Sequence, residues 1–180
     1  MLIENYINTT HSRKRCMKRL LYPINIVVAY IPFDDKLLLN KRIDEPYKNM
    51  WSLVGGHLEL GETIEECIVR EVKEETTLEA TFVALRGIAS EIISEQGKPI
   101  DHFILWVCEV SVSYDKALEQ DEGEMRWFSL EEIEIMKERI IESDYLMLHN
   151  FIFKDKTRLD VHKVQVQKNG ETYKVEYFGL

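Results

Sequence analysis

Between Gly55 and Leu78 the chain reads GGHLELGETIEECIVREVKEETTL, and this segment constrains the fold more than any other. Thr63-Ile64-Glu65-Glu66 has the form of a capping box, with Thr63 as N-cap and Glu66 at the third helical position. The pattern predicts a helix from about Ile64 to Thr76. Five carboxylates lie on it: Glu65, Glu66, Glu71, Glu74 and Glu75. At ~100° per residue, with Glu71 at the origin, Glu74 falls near ~−60° and Glu75 near ~+40°. The apolar positions Ile64, Ile68 and Val72 fall near ~+20°, ~+60° and ~+100° on the same wheel. Glu65 and Glu66 point elsewhere.

A solvated acidic face would oppose the apolar stripe. Glu71, Glu74 and Glu75 overlap it instead, so the spacing places them close together at the edge of the packed face. Three anions so arranged repel one another unless a cation joins them. A thiol-free, oxygen-rich set suits Mg2+ or Mn2+. Arg70 stands one turn after Glu66 and one turn before Glu74, which predicts i,i+4 ion pairs with both. Gly55-Gly56 lets backbone approach a metal or phosphate closely. The alternative is an unusual structural face.

The rest of the chain alternates strand and helix patterns. Ile24–Ile31 reads as a buried strand, Lys36–Arg42 as its hairpin partner, Asp44–Asn49 as a loop and Trp51–Val54 as a short strand. Ala80–Ile93 reads as one or two strands and Asp101–Val112 as another, separated by a turn at Gln96–Pro99. An acidic loop, Glu119–Glu124, leads to a short strand at Met125–Phe128. A second capping box at Ser129–Glu132 predicts a helix over about Leu130–Ile141. Val161–Gln167 and Thr172–Phe178 flank Asn169-Gly170, a hairpin signal. Mixed strands with separated helices give an α/β layered class.

The chain has 180 residues, 45% of them apolar and 31% charged, which suits one domain with a sizeable core. Its net charge of −9 argues against binding a nucleic-acid polymer. Residues 1–22 carry +4, through Arg13, Lys14, Arg15, Lys18 and Arg19 against Glu4, and read as a basic N-terminal extension. A solvated arm, a phosphate or partner contact and an organelle-targeting arm are its readings. Three unpaired cysteines, Cys16, Cys67 and Cys108, predict reduced thiols and a cytoplasmic protein without membrane attachment.

The segment resembles the box of the Nudix (MutT-like) hydrolase family, G-x5-E-x7-R-E-U-x-E-E-x-G-U with U apolar. Gly56, Glu62, Arg70, Glu71, Val72, Glu74, Glu75 and Leu78 stand in register. Thr77 replaces the second glycine. A β-branched residue disfavours positive φ, so the helix is expected to end differently here. The resemblance runs from Ile24 to about Ile141. It implies an α/β/α sandwich on a mixed sheet over residues 23–150, followed by a C-terminal extension, 151–180, with the hairpin. It further implies metal held by Glu71, Glu74 and Glu75 with the Gly55 carbonyl, and structural roles for Gly56, Glu62 and Arg70.

Outside the box, Glu122 is the favoured further carboxylate among Glu119, Asp121, Glu122 and Glu124. Arg42 is expected to hold a phosphate and Trp51 to contact substrate. Tyr47, Phe103 and Trp127 are further aromatic candidates, each more often core. His57 reads as a loop residue and His102 as a strand residue. The activity implied is metal-dependent hydrolysis of a nucleoside diphosphate linked to another moiety. A nucleoside triphosphate, oxidised forms included, would be cleaved to monophosphate and pyrophosphate. ADP-ribose or dinucleoside polyphosphates, or a non-hydrolytic nucleotide-binding regulator, are the alternatives. The partner implied is a small nucleotide, and a homodimer stays open.

Overall fold

The computed structural model describes residues 22–116, 123–154, 159 and 161–180. Strand β1 (Ile24–Tyr30) lies at the heart of a mixed sheet. It runs parallel to β7 (Lys98–Val112) and antiparallel to β5 (Val54–His57). β6 (Ala80–Glu95) pairs antiparallel with β7, and β9 (Val161–Asn169) lies parallel to β6. β10 (Thr172–Gly179) closes the order β10-β9-β6-β7-β1-β5. A smaller sheet holds β2 (Pro32–Phe33), β3 (Lys36–Lys41), β4 (Trp51–Ser52) and β8 (Met125–Ser129), with β8 paired to β3.

Alternation along β1 builds two cores. Val27, Ala29 and Ile31 face one cluster, which includes Leu38, Val54 and Val110. Helix α1 (Ile64–Thr76) covers that side with Cys67, Ile68 and Val72. Val28 faces the other cluster, with Leu39, Trp51, Leu53, Val107 and Phe128. Ile133 of α2 (Leu130–Ile135) packs there, as do Met147 of α3 (Glu142–Met147) and Leu148 and Phe151 of the π-helical turn after it. Helices thus lie on both faces of the sheet, an α/β/α sandwich. Among the described residues no helix is long and apolar enough to cross a membrane.

Three local expectations change. β7 begins at Lys98, inside the turn expected over Gln96–Pro99, while the Ala80–Ile93 region is one strand as one of its two readings had it, running on to Glu95 with register shifts near Phe82, Leu85 and Ile93. The helix expected to reach Ile141 stops at Ile135 and gives way to a 3-10 turn, Lys137–Arg139. Ile140 is then extended (φ −97°, ψ 145°) and bridges to Trp51, whose carbonyl accepts from the Ile141 amide at 2.9 Å. Two buried β-branched residues favour that geometry over another helical turn. The third change is α3, for which no element was expected; it begins without a side-chain cap.

Candidate active site

Thr63 and Glu66 close the predicted capping box at the start of α1. The Glu66 carboxylate accepts from the Thr63 amide and hydroxyl, both at 2.8 Å. It is turned toward that cap, so the ion pair expected between Glu66 and Arg70 is replaced by this one-turn loop of hydrogen bonds. Arg70 instead gathers three other carboxylates. Its Nε donates to Glu62 Oε1 at 2.7 Å, and Nη1 donates to Glu71 Oε1 at 2.8 Å and to Glu74 Oε2 at 3.1 Å. Nη2 adds Glu62 Oε2 at 3.0 Å and the His57 carbonyl at 3.2 Å. One guanidinium therefore ties the loop before α1 to the middle of the helix, using the fork geometry that Arg alone supplies.

The three aligned carboxylates sit in different surroundings. The Glu74 side chain is exposed, that of Glu71 is largely covered at 13%, and Glu75 is buried at 8%. Glu71 lies against β5: a Cβ added to Gly56 would come within 2.5 Å of its carboxylate. At Gly55, where φ is 151°, a Cβ would meet the Val27 carbonyl oxygen at 2.1 Å, so neither glycine has room for a side chain. Burial raises the proton affinity of Glu71, the Arg70 hydrogen bond and charge lower it, and Glu74 and Glu62 raise it again. Glu62, hydrogen-bonded to Arg70, is held down at about 2.

Among the described residues, no three His, Cys, Asp or Glu side chains converge as ligands of a single cation do. The Arg70 guanidinium lies between Glu62, Glu71 and Glu74 and supplies the offsetting charge. The donor set still suits a hard divalent cation. It is all oxygen, it gathers more negative charge than the single Arg70 guanidinium carries, and the largely covered Glu71 abuts backbone at Gly56 with no intervening side chain.

Glu75 belongs to a second group that the sequence reading missed. Asn40 of β3 donates through Nδ2 to Glu75 Oε2 at 3.3 Å, and Ser52 of β4 donates to Asn40 Oδ1. The signal was available as a polar residue closing the run Leu37-Leu38-Leu39 on the same strand phase as Leu38.

The other face of the sheet holds a buried acid pair, also unforeseen. Glu91 (6% exposed) shares its strand face with Ala89 and Ile93. Asp144 accepts from the Leu53 amide at 2.9 Å. Burial pushes Glu91 up to about 7, with Asp144 adding and a Ser143 hydrogen bond subtracting. Burial likewise pushes Asp144 up to about 6 against the Leu53 hydrogen bond and the Arg42 charge. Tyr47 lies near both acids and its ring packs against Tyr173 of β10 at 4.6 Å; burial, then Glu91, raises its hydroxyl pKa.

The remaining candidates fall as follows. Arg42 closes the 42–50 loop, its Nε donating to the Pro46 carbonyl at 2.9 Å. Trp51 is a core ring, 7% exposed and edge-on to Phe128 at 4.7 Å, with Lys41 Nζ 5.8 Å from its centroid. Trp127 donates to the Asp115 carbonyl at 2.7 Å, and Phe103 packs against the second core. His57 is exposed, and His102 meets Ser90 Oγ at 2.9 Å. Glu119, Asp121 and Glu122 lie outside the described residues, while Glu124 pairs with Lys41 at 3.3 Å. Burial pushes the Cys67 and Cys108 thiols up to about 12, so neither is a ready nucleophile.

The sequence model of the NUDIX domain matches residues 23–151. An ADP-ribose pyrophosphatase of Methanocaldococcus jannaschii is 43% identical over 81 residues, 43% of this chain and 48% of that protein. A Bacillus subtilis relative described as the uncharacterized Nudix hydrolase YvcI is 28% identical over 103 residues, 56% of this chain and 63% of its own length. The chain thus spans about half to two-thirds of these relatives. Among solved structures, the MutT protein of Bacillus halodurans superposes with a TM-score of 0.65 at 22% identity, covering 85% of this chain and 97% of that one. A Nudix hydrolase from Nitrosomonas europaea gives 0.60 at 27% identity, over 71% and 87%. With the box, its capped helix and the sandwich in place, the chain belongs to the Nudix domain family.

Proposed function

We propose that the Gly55–Leu78 segment is the centre of a divalent-metal hydrolase that cleaves the diphosphate of a nucleoside diphosphate linked to another moiety. The seat of Glu71 against Gly56, beside Glu74 and under Arg70, carries this reading. Hydrolases of this family use a divalent metal, and Mg2+ or Mn2+ suits these oxygens. Glu71, Glu74 and Glu75 with the Gly55 carbonyl would hold it. The chemistry supplied by such a cation would be polarisation of diphosphate oxygens and a lower pKa for a bound water.

The chain's own residues do the positioning. Arg70 offsets the repulsion between Glu71 and Glu74 before a cation arrives, and with Glu62 it fixes the loop to the helix. Arg42, at the end of β3, is assigned to a substrate phosphate. Glu122, outside the described residues, is assigned as the further carboxylate, either a metal ligand or the base that takes the proton of water. We place the protein in the cytoplasm on its unpaired thiols, with a small nucleotide as partner.

A nucleoside triphosphate, oxidised forms included, is the first substrate class, released as monophosphate and pyrophosphate. ADP-ribose is the second, favoured by the relative that is 43% identical and is named an ADP-ribose pyrophosphatase. A nucleotide panel with Mg2+ separates them by product: pyrophosphate in one case, AMP and ribose phosphate in the other. Activity is expected to need millimolar Mg2+ or Mn2+ and to vanish with chelator. Glu74→Gln should cut kcat by roughly 10^2 or more and leave thermal stability equal or higher. Full turnover in excess EDTA would overturn the mechanism, and binding without turnover of any substrate would make the chain a regulator.

A further inference from the structure

Asn40 and Ser52 are direct partners across β3 and β4, and both are buried, at 6% and 3%. A buried amide weakens a fold unless its polar atoms find partners. Asn40 finds them at both ends: Ser52 Oγ donates to Oδ1, and Nδ2 donates to Glu75 Oε2. The chemistry fixes the sense of the amide. Turned over, it would set an amide oxygen against a carboxylate oxygen and leave two donors facing the hydroxyl. The relay therefore runs one way, from Ser52 through Asn40 to Glu75.

The site does not need an amide for packing. Asn40 shares its strand phase with Leu38, whose side chain lies in the core that α1 covers, so apolar packing by itself calls for no amide here. What leucine lacks is a donor for a carboxylate that the helix has carried into the protein at 8% exposure. A hydrogen bond to one carboxylate oxygen sets the plane of the group and so the direction in which it can serve a ligand.

We propose that Asn40, keyed by Ser52, is a positioning residue that orients the Glu75 carboxylate for the bound divalent cation. This rests on Glu75 being a ligand of that cation, as assigned above.

The test is Mn2+ binding to the full chain without nucleotide, read from the free-ion electron paramagnetic resonance signal, with circular dichroism confirming the fold. Asn40→Leu should weaken Mn2+ binding by roughly 10-fold or more, in line with the usual effect of losing a ligand's hydrogen-bonding support. In a Glu75→Gln background the same change should do less than twofold harm, because the two act through one contact. Equal weakening in both backgrounds, or wild-type binding by Asn40→Leu, would overturn the proposal. If Asn40→Leu does not fold, or Glu75→Gln binds too weakly to measure, Ser52 decides. Ser52→Ala should weaken Mn2+ binding and Ser52→Thr should restore it; wild-type binding by Ser52→Ala would overturn the relay. Unchanged binding by Glu75→Gln itself would remove Glu75 from the metal site, and the failure would then belong to the earlier assignment.

Discussion

Thr77 ends α1 in the left-handed region, at φ 64° and ψ 0°, with its amide donating to the Lys73 carbonyl at 3.0 Å. The helix therefore exits as a glycine would make it exit, contrary to the expectation of a different ending. Thr76 fits this exit: its hydroxyl donates to the Val72 carbonyl at 2.6 Å and accepts from the Leu78 amide at 3.1 Å. The β-branch at Thr77 is the remaining strain. Thr77→Gly should stabilise the fold by up to about 1 kcal/mol, measured as a denaturant midpoint, with kcat unchanged. A destabilised variant would show that the threonine contributes more than its backbone costs. Glu91 offers a second test at this scale. It keeps its proton to about pH 7 in the fold but sheds it near 4.5 when unfolded. Between those values the native state binds more protons, so its contribution is complete below about 4.5 and is lost as pH rises toward 7. Asp144, pushed up to about 6, adds a loss of the same sign at lower pH. Glu91→Gln should therefore flatten the fall in stability between pH 5 and pH 8. It should also raise stability at pH 8 by on the order of 1–3 kcal/mol. An identical pH slope in both proteins would refute it. The sequence marked Thr77 as the departure from the box but not its conformation, and it did not mark Glu91 at all. Threonine is a poor marker of positive φ, and an acid among strand residues shows its burial only once the strand has a phase.

Among the elements, the two capped starts and the end of α1 were legible, whereas the end of α2 and the whole of α3 were not. Both capping boxes, Thr63–Glu66 and Ser129–Glu132, form as read. α1 keeps its expected length because Thr77 and Leu78 leave the helix together, whereas α2 ends six residues early. Its end is set by Ile140 and Ile141 joining Trp51, a contact between segments far apart in the chain. α3 starts at Ile141 without a side-chain cap, so no local pattern announced it. The same distinction explains the candidate site. The α1 carboxylates follow from helical spacing, but Asn40 meets Glu75 only through the pairing of β3 with β4 and their packing on α1. The cap itself is testable. Thr63→Ala should cost about 0.5–2 kcal/mol of stability and Thr63→Ser almost nothing, both read from chemical denaturation. An equal loss in both would mean that the methyl group, not the hydroxyl, matters.

At the scale of the whole molecule, charge and sheet order matter most. The basic arm lies outside the described residues; it carries +4 in residues 1–22 against −13 in the remainder. A substrate of the proposed kind, with several phosphates, would approach a negative body, and attraction by the arm would fade over a Debye length of about 8–10 Å near physiological salt. Deleting residues 1–19 should lower kcat/KM several-fold at low ionic strength, less at high, with kcat steady. Unchanged kcat/KM at low salt would exclude steering. The sheet has two ends, and they differ. β5 terminates one end with four residues, Gly55 and Gly56 among them, and Gly56 lies against the Glu71 carboxylate. β10 terminates the other, beyond the stretch that the family model matches, on a strand that exposes Lys174 and Glu176. The two margins of the sheet are therefore not equivalent: one adjoins the candidate site and the other lies at the far end of the strand order. A strand added past β5 would pair beside Gly55 and Gly56, whereas one added past β10 would extend the sheet at its opposite end.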